Sequence, residues 1–326
     1  MKKQIKEAVG ALCTAERIVL ACHVNPDGDA LGSILALTHV LRALGKEATP
    51  LSADGVPDIY RWMPGTDWVQ QETAQRGFDL AVVCDSGAMD RVGKKVMAIV
   101  ESAPQVVDID HHATEGVFGD IQIIDATAAA TAELVWKVIR ALSVAVGRPL
   151  ADRNVADCLM AGIITDTGSF RFLNVTPHTF DLAARLQRLG AQPAEIAELV
   201  FENRSFASLK LLGRALASLQ TSPDGRIAWA HVTAADYEEL HADDAETEGI
   251  VSHVRSVKGA QVGILFREVP GRKIRISLRS RDGVDVSKVA AAFDGGGHKL
   301  AAGCSLDAPL AEAEKIVLAE MQRQLT

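Results

Sequence analysis

The sequence predicts an α/β protein whose first half is a doubly wound, mostly parallel sheet and whose second half is a smaller α/β domain. Apolar residues make up 48% of the chain and aromatic residues only 5%, a composition typical of soluble α/β proteins. In the first half, short runs rich in valine and isoleucine alternate with segments of helical periodicity. The length of 326 residues also suits two domains, each with its own hydrophobic core, better than a single domain.

The predicted strands of the first half are short apolar runs of the kind buried on both faces of a sheet: Arg17–Cys22, Asp79–Cys84, Gln105–Ile109 and Ile121–Ile124. Helices are predicted between and around them. They comprise an amphipathic helix at the amino terminus, a helix with an apolar face from Leu31 to Leu44 that ends at Gly45, and helices over about Thr131–Val146 and Asp152–Ile164.

Beyond Ser169 the pattern becomes helical. Pro177 and Pro193 stand where prolines begin helices, and Ser205–Leu219 has helical periodicity. A turn at 223–225 then introduces a strand, Ile227–Val232, and a second α/β unit. We therefore predict a first domain over residues 1–185, a helical connector over 186–218 and a second domain over 219–326.

Charge and cysteine content disfavour several classes of function. The formal net charge of −8 argues against binding of long duplex nucleic acid, because that affinity comes from many cationic contacts to phosphate. The five cysteines are scattered without a CxxC pair, so neither a disulfide framework nor a zinc knuckle is predicted. No run approaches the roughly 18 apolar residues of a membrane span, and the amino terminus lacks the apolar core of a signal peptide. We expect a cytoplasmic protein that does not bind membranes.

The densest polar motif is His23-Val24-Asn25-Pro26-Asp27-Gly28-Asp29, between a predicted strand and a predicted helix. Ligands collect at the carboxyl ends of parallel strands, where side chains from several loops converge. Pro26 and Gly28 indicate a tight turn, so His23, Asp27 and Asp29 are expected to point into one volume. A polar turn with Asp29 as the helix N-cap would give the same local pattern.

Similar residues recur at three more strand or helix ends. Asp85 ends one strand, Asp110-His111-His112 ends another, and Asp166 ends an apolar helix. Each is ordinary alone, but the four clusters together predict a metal centre. Carboxylates with a few imidazoles suit Mn²⁺ or Mg²⁺, and the imidazole share favours Mn²⁺. Two such ions about 3.5–4 Å apart activate water and stabilise the attacking and leaving oxygens of a phosphoryl displacement, so phosphoester hydrolysis is the predicted chemistry.

These four ordered motifs resemble those of the DHH phosphoesterases. The strand Arg275–Ser280 and the motif Gly295-Gly296-Gly297-His298 resemble the DHHA1 substrate domain, so the resemblance covers nearly the whole chain. The layout is most similar to the bacterial nanoRNase and pAp phosphatase group. The resemblance implies hydrolysis of very short oligonucleotides to nucleoside monophosphates, removal of the 3′-phosphate of 3′-phosphoadenosine 5′-phosphate (pAp), or both.

The resemblance also implies a role for each motif residue. One metal ion would be held by His23, Asp27 and Asp85. The other would be held by Asp29, Asp85, His111 and Asp166, so Asp85 would bridge two Mn²⁺ ions. The catalytic pair would be His112, facing the scissile phosphate, and Asp110, orienting the neighbouring imidazole.

The second domain is expected to select the substrate. In the predicted strand Lys273–Ser280, apolar residues alternate with cationic ones, so Arg279 and Arg275 can clamp a terminal phosphate. A solvated strand face would explain Arg275 equally well, and Arg267, Arg272 and Arg281 are assigned to surface charge. The run Gly295, Gly296 and Gly297, ending in His298, is expected to form a substrate loop whose amides approach a phosphate or base.

Several alternatives share these motifs. A phosphodiesterase of cyclic or linear dinucleotides would carry the same residues. A RecJ-type exonuclease would carry additional nucleic-acid-binding sequence, and a related inorganic pyrophosphatase would have a different second domain without the GGGH motif. A module of another class would sense nucleotides without turnover. The expected partners are short single-stranded oligonucleotides or a mononucleotide bisphosphate, and the sequence leaves a homodimer open.

Overall fold

The computed structural model describes residues 1–112, 118–281 and 283–325, with His298 described by its backbone alone. The contacts divide the chain into two compact units, Met1–Asn203 and Arg204–Thr326. Helices of the predicted connector therefore fall in both units. The extent of a separate connector stays a prediction.

The first unit is built on a five-stranded parallel sheet in the order β2-β1-β3-β4-β5. The strands are β1 (Arg17–Ala21), β2 (Glu47–Leu51), β3 (Leu80–Cys84), β4 (Val106–Asp110) and β5 (Ile121–Ile124). Alternate residues of β1 enter different cores, with Ile18 on one face and Val19 on the other. Both faces of the sheet are thus buried, as a doubly wound fold requires.

The predicted mostly parallel sheet is confirmed, but the sequence analysis missed β2. This strand contains Glu47, Thr49 and Pro50 in place of a continuous apolar run. A proline interrupts the ladder of a central strand and is tolerated at an edge. Because β2 is the edge strand of this sheet, Pro50 is compatible with its position.

Seven α-helices are assigned in the described part of the first unit: α1 (Lys2–Thr14), α2 (Gly28–Ala43), α3 (Lys94–Val100), α4 (Thr131–Val146), α5 (Arg153–Asp166), α6 (Pro177–Arg188) and α7 (Pro193–Phe201). Helices α2 and α5 pack so closely that only glycine fits at position 32. A Cβ atom there would lie 2.2 Å from the carbonyl oxygen of Cys158. A Cβ atom on Gly162 would lie 2.4 Å from Asp29 Oδ1. Glycine at 162 therefore leaves room for the Asp29 carboxylate between the two helices.

The second unit is built on a mixed sheet in the order β10-β11-β9-β8-β7-β6, in which β7 and β8 pair in parallel. Its strands are β6 (Gln220–Thr221), β7 (Ile227–Val232), β8 (Val262–Arg267), β9 (Ile274–Ser280), β10 (Gly296–His298) and β11 (Ala301–Leu306). Its helices are α8 (Phe206–Ala217), α9 (Ala234–Leu240), α10 (Ile250–Arg255), α11 (Val286–Ala291) and α12 (Leu310–Leu325).

The alternation predicted for β9 is present. Ile274, Ile276 and Leu278 are buried in the core formed with α11 and α12, and the intervening residues lie on the opposite face. Across the described part of the chain, no helix has both the length and the apolar character needed to span a bilayer.

Candidate metal centre

The four polar motifs of the first unit meet at the carboxyl edge of its parallel sheet. His23 follows β1 closely, Asp85 follows β3 directly, and Asp110 ends β4. Parallel strands bring their carboxyl ends to one edge of the sheet. The contact between α2 and α5 then adds Asp29, near the start of α2, and Asp166, at the end of α5.

The first group of ligand atoms belongs to His23, Asp27 and Asp85, which lie within 4.8 Å of one another. His23 Nε2 lies 3.6 Å from Asp85 Oδ2 and 3.9 Å from Asp27 Oδ2. The other ring nitrogen, Nδ1, lies 2.7 Å from the carbonyl oxygen of Val24. Because a carbonyl only accepts, Nδ1 carries the proton in that contact and Nε2 is the nitrogen able to bind a cation.

Asp27, and not Asp29, is the N-cap of α2. Its Oδ1 accepts hydrogen bonds from the amides of Asp29 and Ala30, each at 3.0 Å. Asp29 is fully buried and reaches another helix instead, where Oδ2 accepts from the Thr131 amide at 2.6 Å and Oδ1 from the Ala132 amide at 2.9 Å. The alternative of Asp29 as the N-cap is wrong, because its carboxylate bonds to the start of α4.

The second group comprises Asp29, His111 and Asp166, whose ligand atoms also lie within 4.8 Å of one another. His111 Nε2 lies 3.0 Å from Asp166 Oδ2 and 3.6 Å from Asp85 Oδ1. Asp85 therefore directs one oxygen toward each group: Oδ2 toward His23 and Oδ1 toward His111. A carboxylate that bridges two ions needs this arrangement.

The backbone turns sharply at Asp85, where φ is 58°. This left-handed conformation is uncommon for residues other than glycine, and aspartate tolerates it better than most. The Asp85 amide still donates to the Ile109 carbonyl at 3.0 Å. Such strained positions cluster at functional sites.

His112 and Asp110 form a third contact beside these groups. Asp110 Oδ1 lies 2.6 Å from His112 Nδ1, and Asp110 Oδ2 accepts from the Gly87 amide. Asp110 is thereby fixed between two loops and in turn fixes the His112 ring. His112 Nδ1 also lies 3.5 Å from Asp85 Oδ1, so both histidines lie close to the same carboxylate.

The carboxylates of this site are buried and repel one another, and both effects shift their pKa values. Burial and repulsion from Asp85 raise the pKa of Asp29 well above its usual value, and burial raises the pKa of Asp166 to about 7. Although burial opposes it, contact with Asp85 raises the pKa of His23 to about 9. These shifts reflect several carboxylates buried close together beside imidazoles. The cluster of carboxylate and imidazole donors fits divalent metal ions, which would offset the carboxylate charge.

The second unit contains the residues predicted to bind substrate. Arg279 lies on the cationic face of β9, where its guanidinium donates to the Leu278 carbonyl at 3.1 Å. Burial is the main cause that lowers its pKa, attraction to Glu248 opposes this shift, and repulsion from Arg255 and Arg267 adds to it. Within the described residues Arg279 has no ion-pair partner within 4.0 Å. Its remaining N–H groups therefore suit an anionic ligand.

Arg275 and Arg267 share one carboxylate. Arg275 Nη1 contacts Asp244 Oδ2, and Arg267 Nη1 lies 2.8 Å from Asp244 Oδ1. Arg267 Nη2 also donates to Ser277 Oγ at 2.9 Å. The assignment of Arg267 to surface charge is wrong, because only 13% of its side chain is exposed. A phosphate-binding role for Arg275 stays a prediction.

The glycine motif forms an edge strand, so the expectation of a loop is wrong. Gly296–His298 is β10, which pairs antiparallel with β11. A Cβ atom on Gly295 would lie 2.3 Å from the Gly303 oxygen, and one on Gly297 would lie 2.6 Å from the Ala301 oxygen. The hairpin therefore requires these two glycines, whereas Gly296 has open space. The side chain of His298 lies outside the described residues, and its role stays a prediction.

The sequence analysis did not single out several residues that orient the ligands. Asp54 Oδ2 accepts from the Asn25 amide at 2.7 Å and so holds the first motif loop. Asn174 donates to the Asp166 carbonyl at 3.0 Å. The hydroxyl of Thr131 donates to Asp85 Oδ1 at 2.9 Å. No sequence signal marks these residues, because their importance arises from contacts between distant segments.

Comparisons with known proteins agree with the two units. The model of the DHH family, N-terminal domain, matches residues 17–163, and the DHHA1 domain model matches residues 229–326. A bifunctional oligoribonuclease and PAP phosphatase of Thermus thermophilus is 35% identical over 95% of this chain and 90% of its own length. Its counterpart in Bacillus subtilis is 27% identical over 92% of each chain. An exopolyphosphatase-related protein of Bacteroides fragilis superimposes with a TM-score of 0.93 at 26% identity, covering 99% of this chain and 96% of that one.

Proposed function

The chain belongs to the DHH family, with a DHHA1 domain following the DHH domain, and on this basis we propose that it hydrolyses very short oligonucleotides and pAp. It is a metal-dependent phosphoesterase. The products would be nucleoside monophosphates from oligonucleotides and the 5′-monophosphate from pAp. The names of the Thermus and Bacillus relatives, which pair an oligoribonuclease with a PAP phosphatase, support this choice of substrates.

The single observation that carries the proposal is the position of Asp85 between two ligand groups. Its oxygens lie 3.6 Å from His23 Nε2 on one side and 3.6 Å from His111 Nε2 on the other. Two divalent metal ions held at this site would supply Lewis acidity and an activated water. The chain would hold the ions through these carboxylate and imidazole side chains, and Asp85 itself is only 1% exposed.

We infer that the resident metal is Mn²⁺, with two ions per chain. The proposed ligands of the first ion are His23, Asp27 and Asp85, and those of the second are Asp29, Asp85, His111 and Asp166. Cys22 and Cys84 are buried, but neither belongs to a group of clustered ligand atoms in the described residues. Oxygen and imidazole donors without sulfur favour Mn²⁺ over a thiolate-preferring metal, and the imidazoles favour it over Mg²⁺.

Asp110 and His112 would act on the substrate. The contact between Asp110 Oδ1 and His112 Nδ1 fixes the imidazole through that nitrogen. We propose that His112 Nε2 then donates a hydrogen bond to the scissile phosphate as negative charge develops there. Asp110 would orient the ring without touching the phosphate.

An apolar surface beside the metal centre supports a nucleotide substrate. Directly after Asp166 the chain turns through Gly168, Ser169 and Phe170, all with positive φ. The ring of Phe172 lies against Gly168 and is 47% exposed as a residue, and Leu173 is 85% exposed. Aromatic side chains accept nucleobases by stacking. An extended cationic track for further nucleotides would be unexpected in a chain of net charge −8.

Turnover of a substrate panel tests the proposal. The panel contains a 5′-phosphorylated dinucleotide, a long oligonucleotide, a cyclic dinucleotide, pAp and pyrophosphate, each in excess over protein with Mn²⁺. We expect repeated turnover of the dinucleotide and of pAp and much slower cleavage of the long oligonucleotide. Preference for the cyclic dinucleotide would replace this proposal with the phosphodiesterase alternative. Tight binding without turnover would indicate a nucleotide-sensing module.

Replacing Arg279 with alanine is expected to raise KM for the dinucleotide and for pAp by about 10- to 100-fold. A hydrogen bond to a charged group contributes about 1.5–3 kcal/mol, and Arg279 is our proposed anchor for a substrate phosphate. Steady-state kinetics with Mn²⁺ measure the change, and metal content is expected to stay normal. The exposed Arg272 provides the matched control, since Arg272→Ala is expected to behave as wild type. An unchanged KM for Arg279→Ala would remove this residue from the substrate site.

A further inference from the structure

One short segment contacts three of the proposed metal ligands without contributing a ligand itself. The segment is the turn before α4 together with the first residues of that helix, 128–132. The carbonyl of its first residue lies 3.2 Å from His111 Nδ1. The amide of Thr131 donates to Asp29 Oδ2 and that of Ala132 donates to Asp29 Oδ1. The hydroxyl of Thr131 donates to Asp85 Oδ1. The segment therefore contacts ligands of both proposed ions.

Within this segment, we propose that Thr131 is the positioning residue that sets the orientation of the bridging carboxylate of Asp85. The proposal rests on the proposed two-metal activity and assigns no new ligand. Thr131 is fully buried, and its Oγ1 lies 2.9 Å from Asp85 Oδ1. The hydroxyl donates, because a carboxylate only accepts.

Asp85 needs such a partner because rotation about its terminal bond is soft. Histidine rings surround this carboxylate on several sides. Among the described residues, the Thr131 hydroxyl is the side-chain donor to it that does not come from a histidine. It binds Oδ1, the oxygen that also lies 3.6 Å from His111 Nε2. The bond thereby fixes the plane of the carboxylate and keeps Oδ2 directed toward His23. Without it, Asp85 could still bind one ion but would bridge two ions poorly.

Thr131 combines two functions that can be separated by substitution. Its backbone amide holds Asp29 and is retained in any variant except proline. Its hydroxyl holds Asp85 and is retained only in serine. Thr131→Val preserves the branched shape but lacks the hydroxyl, and Thr131→Ala lacks both. Thr131→Ser keeps the hydroxyl and lacks the methyl group.

The experiment measures Mn²⁺ binding by calorimetry together with kcat and KM for the dinucleotide. We expect Thr131→Val and Thr131→Ala to lower kcat and the affinity for the second bound Mn²⁺ by about 10- to 100-fold, the range found when partners of metal ligands are removed. KM is expected to stay near wild type. Thr131→Ser is expected to retain both properties within a few-fold.

Thr38→Val is the matched control. Thr38 is a fully buried threonine in the same unit, and its hydroxyl donates to the Ile34 carbonyl within α2 at 2.7 Å. The Thr38→Val variant is expected to bind Mn²⁺ with wild-type affinity. Thermal unfolding in chelator identifies a misfolded Thr131→Val, in which case Thr131→Ala decides the question.

Wild-type Mn²⁺ affinity in either variant that lacks the hydroxyl overturns the proposal. An equal defect in Thr131→Ser also overturns it, because packing would then explain the loss. Failure of the proposed function would look different. Wild-type protein would bind Mn²⁺ without hydrolysing the panel, and the binding series would still test the role of Thr131.

Discussion

Asp85→Asn is expected to reduce kcat by at least about a thousandfold, because a bridging carboxylate serves both metal ions and each ion contributes several kcal/mol of charge stabilisation. An amide is neutral and offers a single oxygen, so it cannot satisfy both sides. His23 and His111 would each keep their remaining partners, Asp27 and Asp166. The fold is expected to survive, since the shape of the side chain is unchanged.

The measurement combines kcat with saturating Mn²⁺ and metal content by elemental analysis. Asp27→Asn is expected to give a smaller loss, because Asp27 belongs to one ligand group only. The exposed Asp67 supplies the control, and Asp67→Asn is expected to retain wild-type turnover. Normal turnover by Asp85→Asn with two ions still bound would show that Asp85 does not bridge.

His111→Ala and His112→Ala are expected to fail in different ways. His111 lies 3.0 Å from Asp166 Oδ2 in the second ligand group, so its loss is expected to lower the affinity for the second ion. His112 is held through Nδ1 by Asp110. Its loss is expected to lower kcat by about 10²- to 10³-fold, the range for removing one hydrogen-bond donor to charge that develops in the transition state, with metal content near normal.

Elemental analysis after dialysis and steady-state kinetics separate the two histidines. Both rings have a nitrogen within 3.6 Å of Asp85 Oδ1, so proximity to this carboxylate does not by itself distinguish the metal ligand from the residue that contacts the phosphate. Identical losses of bound metal in the two variants would mean that both histidines are ligands. The proposed division of this pair would then have to be abandoned.

The sheet of the first unit was largely predictable from local sequence. The runs at β1, β3, β4 and β5 are mostly apolar, so hydrophobicity located them. Strand β2 was missed because Pro50 and Glu47 break the apolar run. Its place at the sheet edge accounts for both residues, and edge position is a property of the assembled sheet.

The convergence of the motif residues was also predictable, because polar residues that end parallel strands must share one edge. Their orientations were not. The sequence could not distinguish Asp27 from Asp29 as the cap of α2, since both aspartates suit that place. The outcome depends on α4, whose amides bind Asp29, and on Gly162, which leaves space for its carboxylate. These are contacts between helices distant in sequence.

In the second unit too, contacts between segments distant in sequence could not be predicted. Alternation correctly placed Arg275 and Arg279 on one face of β9. It could not show that Asp244, on a separate segment, contacts Arg275 and Arg267. The glycine motif was recognised, but its antiparallel pairing with β11 depends on the close approach of another strand. Periodicity describes one element at a time, whereas ion pairs and hairpin packing involve two.

Hydrolysis of the 5′-phosphorylated dinucleotide by exhaustively chelated protein, followed by stepwise return of Mn²⁺, tests the two-metal account most directly. We predict no hydrolysis before Mn²⁺ is added and repeated turnover once two ions per chain are bound, with Mg²⁺ restoring less activity. Full activity after chelation would contradict the account. So would a protein that binds two ions and the dinucleotide but never releases nucleoside monophosphates.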